Sequence, residues 1–290
     1  MKLHLTTTAG NIDDVTIKSL IPIEGINSTL WSFAYGTSSQ ERDWRSCWEL
    51  TRNRGMKVRV ILDSGAFTAW SSGKTVKLED YAEWAIKISK SFPFDSIRFI
   101  NLDHIPGKKG LSATADQIKM AASQSLKNAD TLRTLGVTPL VEVFHQDEPF
   151  ELLKIINERR KGGVIALSPR NDVSVQQREL WLKKCLQYCV KEFGKENIPP
   201  CHGLAVTSER LLKAFPFFSG DSSTWIQCLQ YGRAREIGIK KIPPAKGGDA
   251  EKMVNIHALR HNVRKFKRIE SDMTSLWKLR GITWDESKIR

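Results

Sequence analysis

Short runs of β-branched and apolar residues alternate along the chain with longer segments whose apolar positions recur every three or four residues. The first pattern predicts strands, buried on both faces where the run is continuous, and the second predicts amphipathic helices. Strand-type runs are TLWSFAYG (29–36), KVRVILDS (57–64), SIRFINLD (96–103), TPLVEVFH (138–145), GGVIALSP (162–169), HGLAV (202–206) and FFSGDS (217–222), with EIGIKKI (236–242) as an eighth candidate. Between them, ERDWRSCWELTRN, LEDYAEWAIKISKS, ATADQIKMAASQSLKNADTLRTLG, PFELLKIINERRK, VSVQQRELWLKKCLQYCVKEFG and SERLLKAFP carry the helical period. Ser112 or Thr114 supplies a start signal, and Gly136 and Gly194 supply stops.

Such alternation builds either a (β/α)8 barrel or an open, doubly wound parallel sheet. Polar groups crowd the strand exits: Asp63 and Ser64, Asp103, His145, Ser168, and Asp221 at the end of the run 217–222. A barrel gathers all of these on one face, whereas an open sheet spreads them along an edge, so the pattern favours a (β/α)8 barrel over residues 1–245. The stretch 240–253, with Pro243, Pro244, Gly247 and Gly248, reads as a linker. Residues 246–290 then read as a basic, mainly helical segment packed on the barrel.

The composition of the 290 residues, 40% hydrophobic and 27% charged, excludes disorder and collagen-like repetition. No apolar stretch approaches the roughly 20 residues of a membrane span, and MKLHLTTTAGNIDD lacks the apolar core of a signal peptide. The expectation is a cytoplasmic protein with no membrane partner. Its five scattered cysteines are expected as free thiols, with Cys185 and Cys189 sharing one helix face. The net charge of +13 points to a polyanion, and residues 228–290 alone carry 15 Lys+Arg against 7 Asp+Glu. Arg260, Arg264, Lys265, Lys267 and Arg268 fall within nine residues of helical pattern, where they either follow a phosphate backbone or form a solvated face.

Among motifs, SSGKT (71–75) lacks the upstream glycine of a phosphate-binding loop, and the commonest dinucleotide, zinc-protease and serine-hydrolase signatures are missing. ILDSGAFTAW (61–70) delivers Asp63 and Ser64 to a strand end, followed by Gly65, which permits close approach of a ligand. FPFFSGDSSTW (215–225) repeats the form with Gly220 and Asp221. Each alone is also the signature of a strand ending in an Asx-type turn; two such carboxylates in one chain favour chemistry. Most of the nine tryptophans are expected as core or surface anchors; Trp70 and Trp225 are the two to place near a nucleotide, with core packing as their alternative, and His4 is expected to be structural or exposed.

DSGAF, LD-x-I-P (103–106), VFH, a Gly-rich strand, HGLAVTSERLL and SGDSSTW, taken in that order from about residue 58 to about 227, resemble the tRNA-guanine transglycosylase superfamily. The similarity is nearest to the phage (DpdA-like) branch that inserts 7-deazaguanine derivatives into DNA, and LWKLRGITWDE near the C-terminus also looks like that branch. The resemblance implies a (β/α)8 barrel that swaps guanine for a deazaguanine without breaking the sugar-phosphate chain. By position, Asp221 resembles the nucleophile, Asp63 the general acid/base and Asp103 the carboxylate that reads guanine. Ser64, His145, Leu167 and Ser168 fall where further base contacts are expected, and His202 with Gly203 beside the wall on which the base stacks. Partners implied are DNA, with tRNA as the alternative, and a free 7-deazaguanine base. The tRNA enzymes carry a Cys-x-Cys-x-x-Cys zinc motif after the nucleophile; here only Cys228, His257 and His261 follow Asp221, a poor zinc signal, so no cofactor is expected. The competing class is a non-catalytic nucleic-acid-binding barrel that merely grips a flipped base.

Overall fold

The computed structural model describes residues 1–7, 15–36, 38–107, 111–226 and 249–289. Eight parallel strands pair in chain order and close on themselves: β1 (Lys2–Thr6), β2 (Ser28–Ser32), β3 (Arg59–Asp63), β4 (Ser96–Ile100), β5 (Leu140–His145), β6 (Ile165–Ser168), β7 (Cys201–Gly203) and β8 (Ser219–Ser222). The intervening helices are α1 (Val15–Ile23), α2 (Ser38–Asn53), α3 (Ala66–Ser72), α4 (Leu78–Ser91), α5 (Ala115–Thr134), α6 (Phe150–Arg159), α7 (Val175–Phe193) and α8 (Glu209–Leu212), followed by the long α9 (Asp249–Leu279). The chain is a (β/α)8 barrel, the alternative that the polar strand exits favour.

The continuous apolar runs have a direct cause, because each strand is covered on both faces. In β3, Val60 and Leu62 face the helices, packing with Trp31, Tyr81 and Trp84, while Ile61 faces inward against Leu30, Ile100 and Val141. The helices answer with one apolar stripe each; Tyr81, Ala82, Trp84, Ala85 and Ile88 are the buried positions of α4. Capping boxes start two of them, Thr114 with Gln117 at α5 and Ser174 with Gln177 at α7. Cys185 and Cys189 are buried on one face of α7, and no helix among the described residues is long and apolar enough to cross a membrane.

Two expectations need correction. The eighth strand is β1, at the start of the chain, which pairs with β8 through Lys2↔Ser219 and His4↔Asp221. The barrel is therefore complete without EIGIKKI (236–242), which lies outside the described residues. The expected linker 240–253 is also too long, since its last five residues already belong to α9.

Helix α9 lies in the outer layer of the barrel. Its Leu259, Val263, Phe266, Ile269 and Met273 share one buried cluster with Leu3, Leu5 and Leu20. Beyond it, residues 280–289 turn under the amino ends of the strands. There Trp284 and Ile289 pack against the inner cluster, and Glu286 pairs with Arg59 at 2.6 Å.

Candidate active site

Parallel strands place every carboxyl end of the barrel on one face, and the period of two turns alternate residues inward. Asp63 is the last residue of β3. Its Oδ2 accepts the Ser32 hydroxyl of β2 at 2.7 Å and the Gly65 N–H at 3.1 Å. Gly65 has φ +76°, and a Cβ there would stand 2.8 Å from that of Ala34, so this close turn requires glycine. Burial pushes the Asp63 carboxyl up to about 6; the Ser32 hydrogen bond opposes the rise, and the charges of Asp221 and Asp103 add to it. Ser64, expected to touch the base, is fully buried and donates to the Asn101 carbonyl at 2.9 Å. It ties β3 to the residue after β4 and does not face the mouth.

Asp221 projects inward from β8. Its Oδ1 accepts the Ala205 N–H at 2.8 Å, and Oδ2 has no partner among the described residues. His202 of β7, 1% exposed, brings Nε2 to 3.3 Å from the same Oδ1, too poorly aligned for a hydrogen bond, while its Nδ1 lies 2.9 Å from Ser219 Oγ. His4 is buried beside it, edge-on at 6.0 Å between ring centroids. Burial above all, followed by the neighbouring His202, pushes the His4 pKa well below the ordinary histidine value, which keeps the ring neutral.

The third carboxylate, Asp103, follows β4 and meets His145, the last residue of β5, with Oδ2 2.7 Å from Nε2. Burial opposes charge on His145, but the Asp103 hydrogen bond and the charges of Asp103 and Glu148 raise its pKa above the usual value. With Oδ2 engaged, Asp103 presents Oδ1 alone without a partner among the described residues. His145 and Ser168 open onto a cavity of about 690 Å³, walled on one side by Phe67, Trp70, Ile105, Pro106 and Leu111 and on the other by Gln146, Asp147 and Arg170. The carboxylates lie outside that wall; Asp103 is joined to it through His145.

Other expected contacts fall elsewhere. Leu167 points outward into the helical layer, and its carbonyl is used by Leu204 N–H. At Gly203 a Cβ would meet Val206 and Phe217 within 2.9 Å, so that glycine serves packing. Trp225 is a core residue donating to the Thr6 carbonyl, whereas Trp70 lines the cavity as expected. Sequence reasoning missed Ser32, Ala205 and Arg170. Ser32 lies in the middle of the run TLWSFAYG (29–36), which the structure ends at Ser32, so it did not read as a strand exit; Ala205 acts through its backbone, which no side-chain pattern reveals.

Arg260, Arg264 and Lys267 of α9 are not brought to the mouth. Arg260 and Arg264 pair with Glu24 at 3.0 and 2.7 Å, and Lys267 donates to the Glu24 carbonyl. Glu24 sits in the turn leading into β2, at the amino end of the barrel opposite the carboxylates. Lys265 and Arg268 lie on the same helix within that stretch. Cys228 is outside the described residues, and no group of three or more His, Cys, Asp or Glu among the described residues is arranged to hold a metal.

No family model matches the chain, and no curated protein does. Solved structures do resemble it. A Coccidioides immitis protein described as a fructose-1,6-biphosphate aldolase shares 11% identity over 92% of this chain and 88% of its own, with a TM-score of 0.52. An Aquifex aeolicus protein gives 12% identity, 93% and 92% coverage and a TM-score of 0.46. A Pseudomonas aeruginosa protein described as a dihydrodipicolinate synthetase gives 11%, 93% and 82%, and 0.42. At such identities the likeness concerns the fold alone.

Proposed function

We propose that this chain is an enzyme, a transglycosylase that exchanges guanine in DNA for a 7-deazaguanine base. The observation that carries the reading is a pair of unlike carboxylates at one barrel mouth. Asp63 is buried and titrates near 6, so it holds a proton for part of the time at neutral pH. Asp221 is held by a backbone N–H with one oxygen free. Environments that separate two carboxyls in this way assign one to proton transfer and the other to attack.

In the reaction Asp221 Oδ2 attacks the anomeric carbon as the carbon–nitrogen bond to guanine breaks, and Asp63 gives its proton to the departing base. The sugar is then held as an ester of Asp221. The incoming base loses its ring proton to Asp63, its nitrogen attacks the same carbon, and Asp221 leaves. Two inversions give net retention, and neither strand of the polymer is cut. Asp103 Oδ1 accepts a donor from the guanine edge, with His145 fixing the other oxygen, and the Phe67 and Trp70 wall offers a face for stacking.

Imine chemistry on this face has less support. Among the described residues the only lysine on a strand is Lys2, at the amino end of β1, paired with Glu270. The net charge of +13 suits a nucleic acid partner; the phosphate track is not assigned to α9, whose Arg260, Arg264 and Lys267 are engaged with Glu24. Incubation with labelled guanine and either duplex DNA or tRNA tests the reading. Label entering DNA is expected, label entering tRNA alone redirects the enzyme to the other polymer, and label entering neither refutes base exchange.

A further inference from the structure

Residues 203–206 make a tight turn closed by Val206 N–H to the Gly203 carbonyl at 3.3 Å. Its third residue, Ala205, has φ +52°, a conformation in which glycine is ordinarily found. The turn lies hard against β8, since a Cβ on Gly220 would stand 2.7 Å from the Val206 carbonyl. The product of this arrangement is a single donor, Ala205 N–H, aimed at Asp221 Oδ1. Backbone held in a sparsely populated region beside a candidate nucleophile calls for a functional account.

His202 supplies the second half. Its Nε2 is a buried nitrogen with no hydrogen bond, 3.3 Å from that same Oδ1. Two tautomers are open to it. If Nδ1 carried the proton, the lone pair of Nε2 would face a carboxylate lone pair. If the Ser219 hydroxyl donates to Nδ1 across 2.9 Å, the proton sits on Nε2 and needs only a small ring rotation to reach Oδ1.

We propose that His202 and the 203–206 turn form a clamp on Asp221, in which His202 Nε2–H and Ala205 N–H both take Oδ1 and leave Oδ2 as the sole attacking atom. His202 is thus a positioning residue rather than part of the wall on which a base stacks. The same two donors hold the carbonyl oxygen of the glycosyl ester and receive the charge that returns to Oδ1 when Asp221 is expelled. The catalytic half of this inference rests on the proposed exchange reaction; the tautomer does not.

Two measurements separate them. Nitrogen-15 NMR of the imidazole in the intact chain reports the tautomer without any substrate. A protonated Nε2 on His202, with a resonance that moves in Asp221→Ala, is expected; a proton on Nδ1 overturns the clamp whatever reaction the enzyme performs. In the exchange assay, His202→Ala is expected to lower kcat about 10- to 100-fold, the size expected for a hydrogen bond to a charged group, with KM for DNA and for free base within about twofold. His202→Gln, which restores an N–H donor, is expected to recover most of the loss. A raised KM with kcat retained would return His202 to the base wall, and a Gln variant as slow as the Ala variant at equal thermal stability would reduce it to packing. A wild-type chain with the expected tautomer but no exchange on any polymer refutes the transglycosylase reading and the catalytic half of the clamp, and leaves the Nε2–H contact with Asp221 standing.

Discussion

Replacing Asp63 by Asn should make the protein more stable at neutral pH while disabling it. The carboxyl is driven from 3.8 to about 6 chiefly by burial, so the folded state holds a proton that the unfolded chain releases in that interval. Between those values the native state binds more protons than the unfolded state, and stability therefore falls as pH rises. Below 3.8 both states are protonated and there is no penalty; above about 6 the penalty is complete, at roughly 3 kcal/mol as an upper figure. An Asn amide is neutral throughout, and its carbonyl can still accept Ser32 Oγ–H and Gly65 N–H. Urea unfolding of both proteins at about pH 4.5 and about pH 7.5 should show the advantage of Asp63→Asn growing by about 2 kcal/mol between the two conditions. An unchanged difference would mean that Asp63 titrates as an ordinary carboxylate and that its assignment as proton carrier has lost its physical basis. In the exchange assay the same variant should be slower by about 10²- to 10⁴-fold.

Asp221→Asn should abolish exchange and any trapped protein–DNA adduct, read by mass spectrometry, with DNA binding retained; full activity in this variant would remove Asp221 from the chemistry. Asp103→Ala should weaken guanine binding by about 1–3 kcal/mol and lower selectivity over adenine, measured by competition between free bases. Trp284→Ala should lower unfolding stability by about 2 kcal/mol, since this half-buried ring packs on the inner cluster at the amino end of the barrel, and should leave KM unchanged. Charge reversal at Arg264 should reduce stability by setting a second negative charge beside Glu24, while the salt dependence of DNA binding stays as in the wild type; a flattened salt slope would restore α9 as a phosphate track.

Strands that end in Asp63 and Ser168 were legible because burial on both faces makes an apolar run, and the first polar residue after it marks the exit; β5 kept that pattern except at Glu142, a buried carboxylate paired with Arg133 and Arg159. β1 was not legible, since Lys2 and His4 interrupt KLHLT; His4 is buried against the Thr29 carbonyl, and Lys2, at the start of the strand, pairs with Glu270 of α9. Adjacent residues of a strand cannot both face the mouth, which is why Leu167 parted from its neighbour Ser168, and why Ser64 was free to turn aside after Asp63. The role of the basic stretch was hidden for another reason. Its counter-ion, Glu24, precedes Arg264 by 240 residues, and composition carries no sign of which carboxylate a cation will find.

Closure of the barrel between β1 and β8 also shapes how the chain must be made. Lys2 cannot meet Ser219 until more than two hundred intervening residues have been synthesised. Until then β1 lacks its β8 partner, and an unpaired strand edge is the geometry that invites pairing with other chains. Fragments ending short of Ser219–Ser222 should accumulate as aggregates, and slow translation of the last third of the message should lengthen dependence on chaperones. The mouth that holds Asp221 thus comes into being only when the edge disappears: assembly of the site and protection of the sheet are one event.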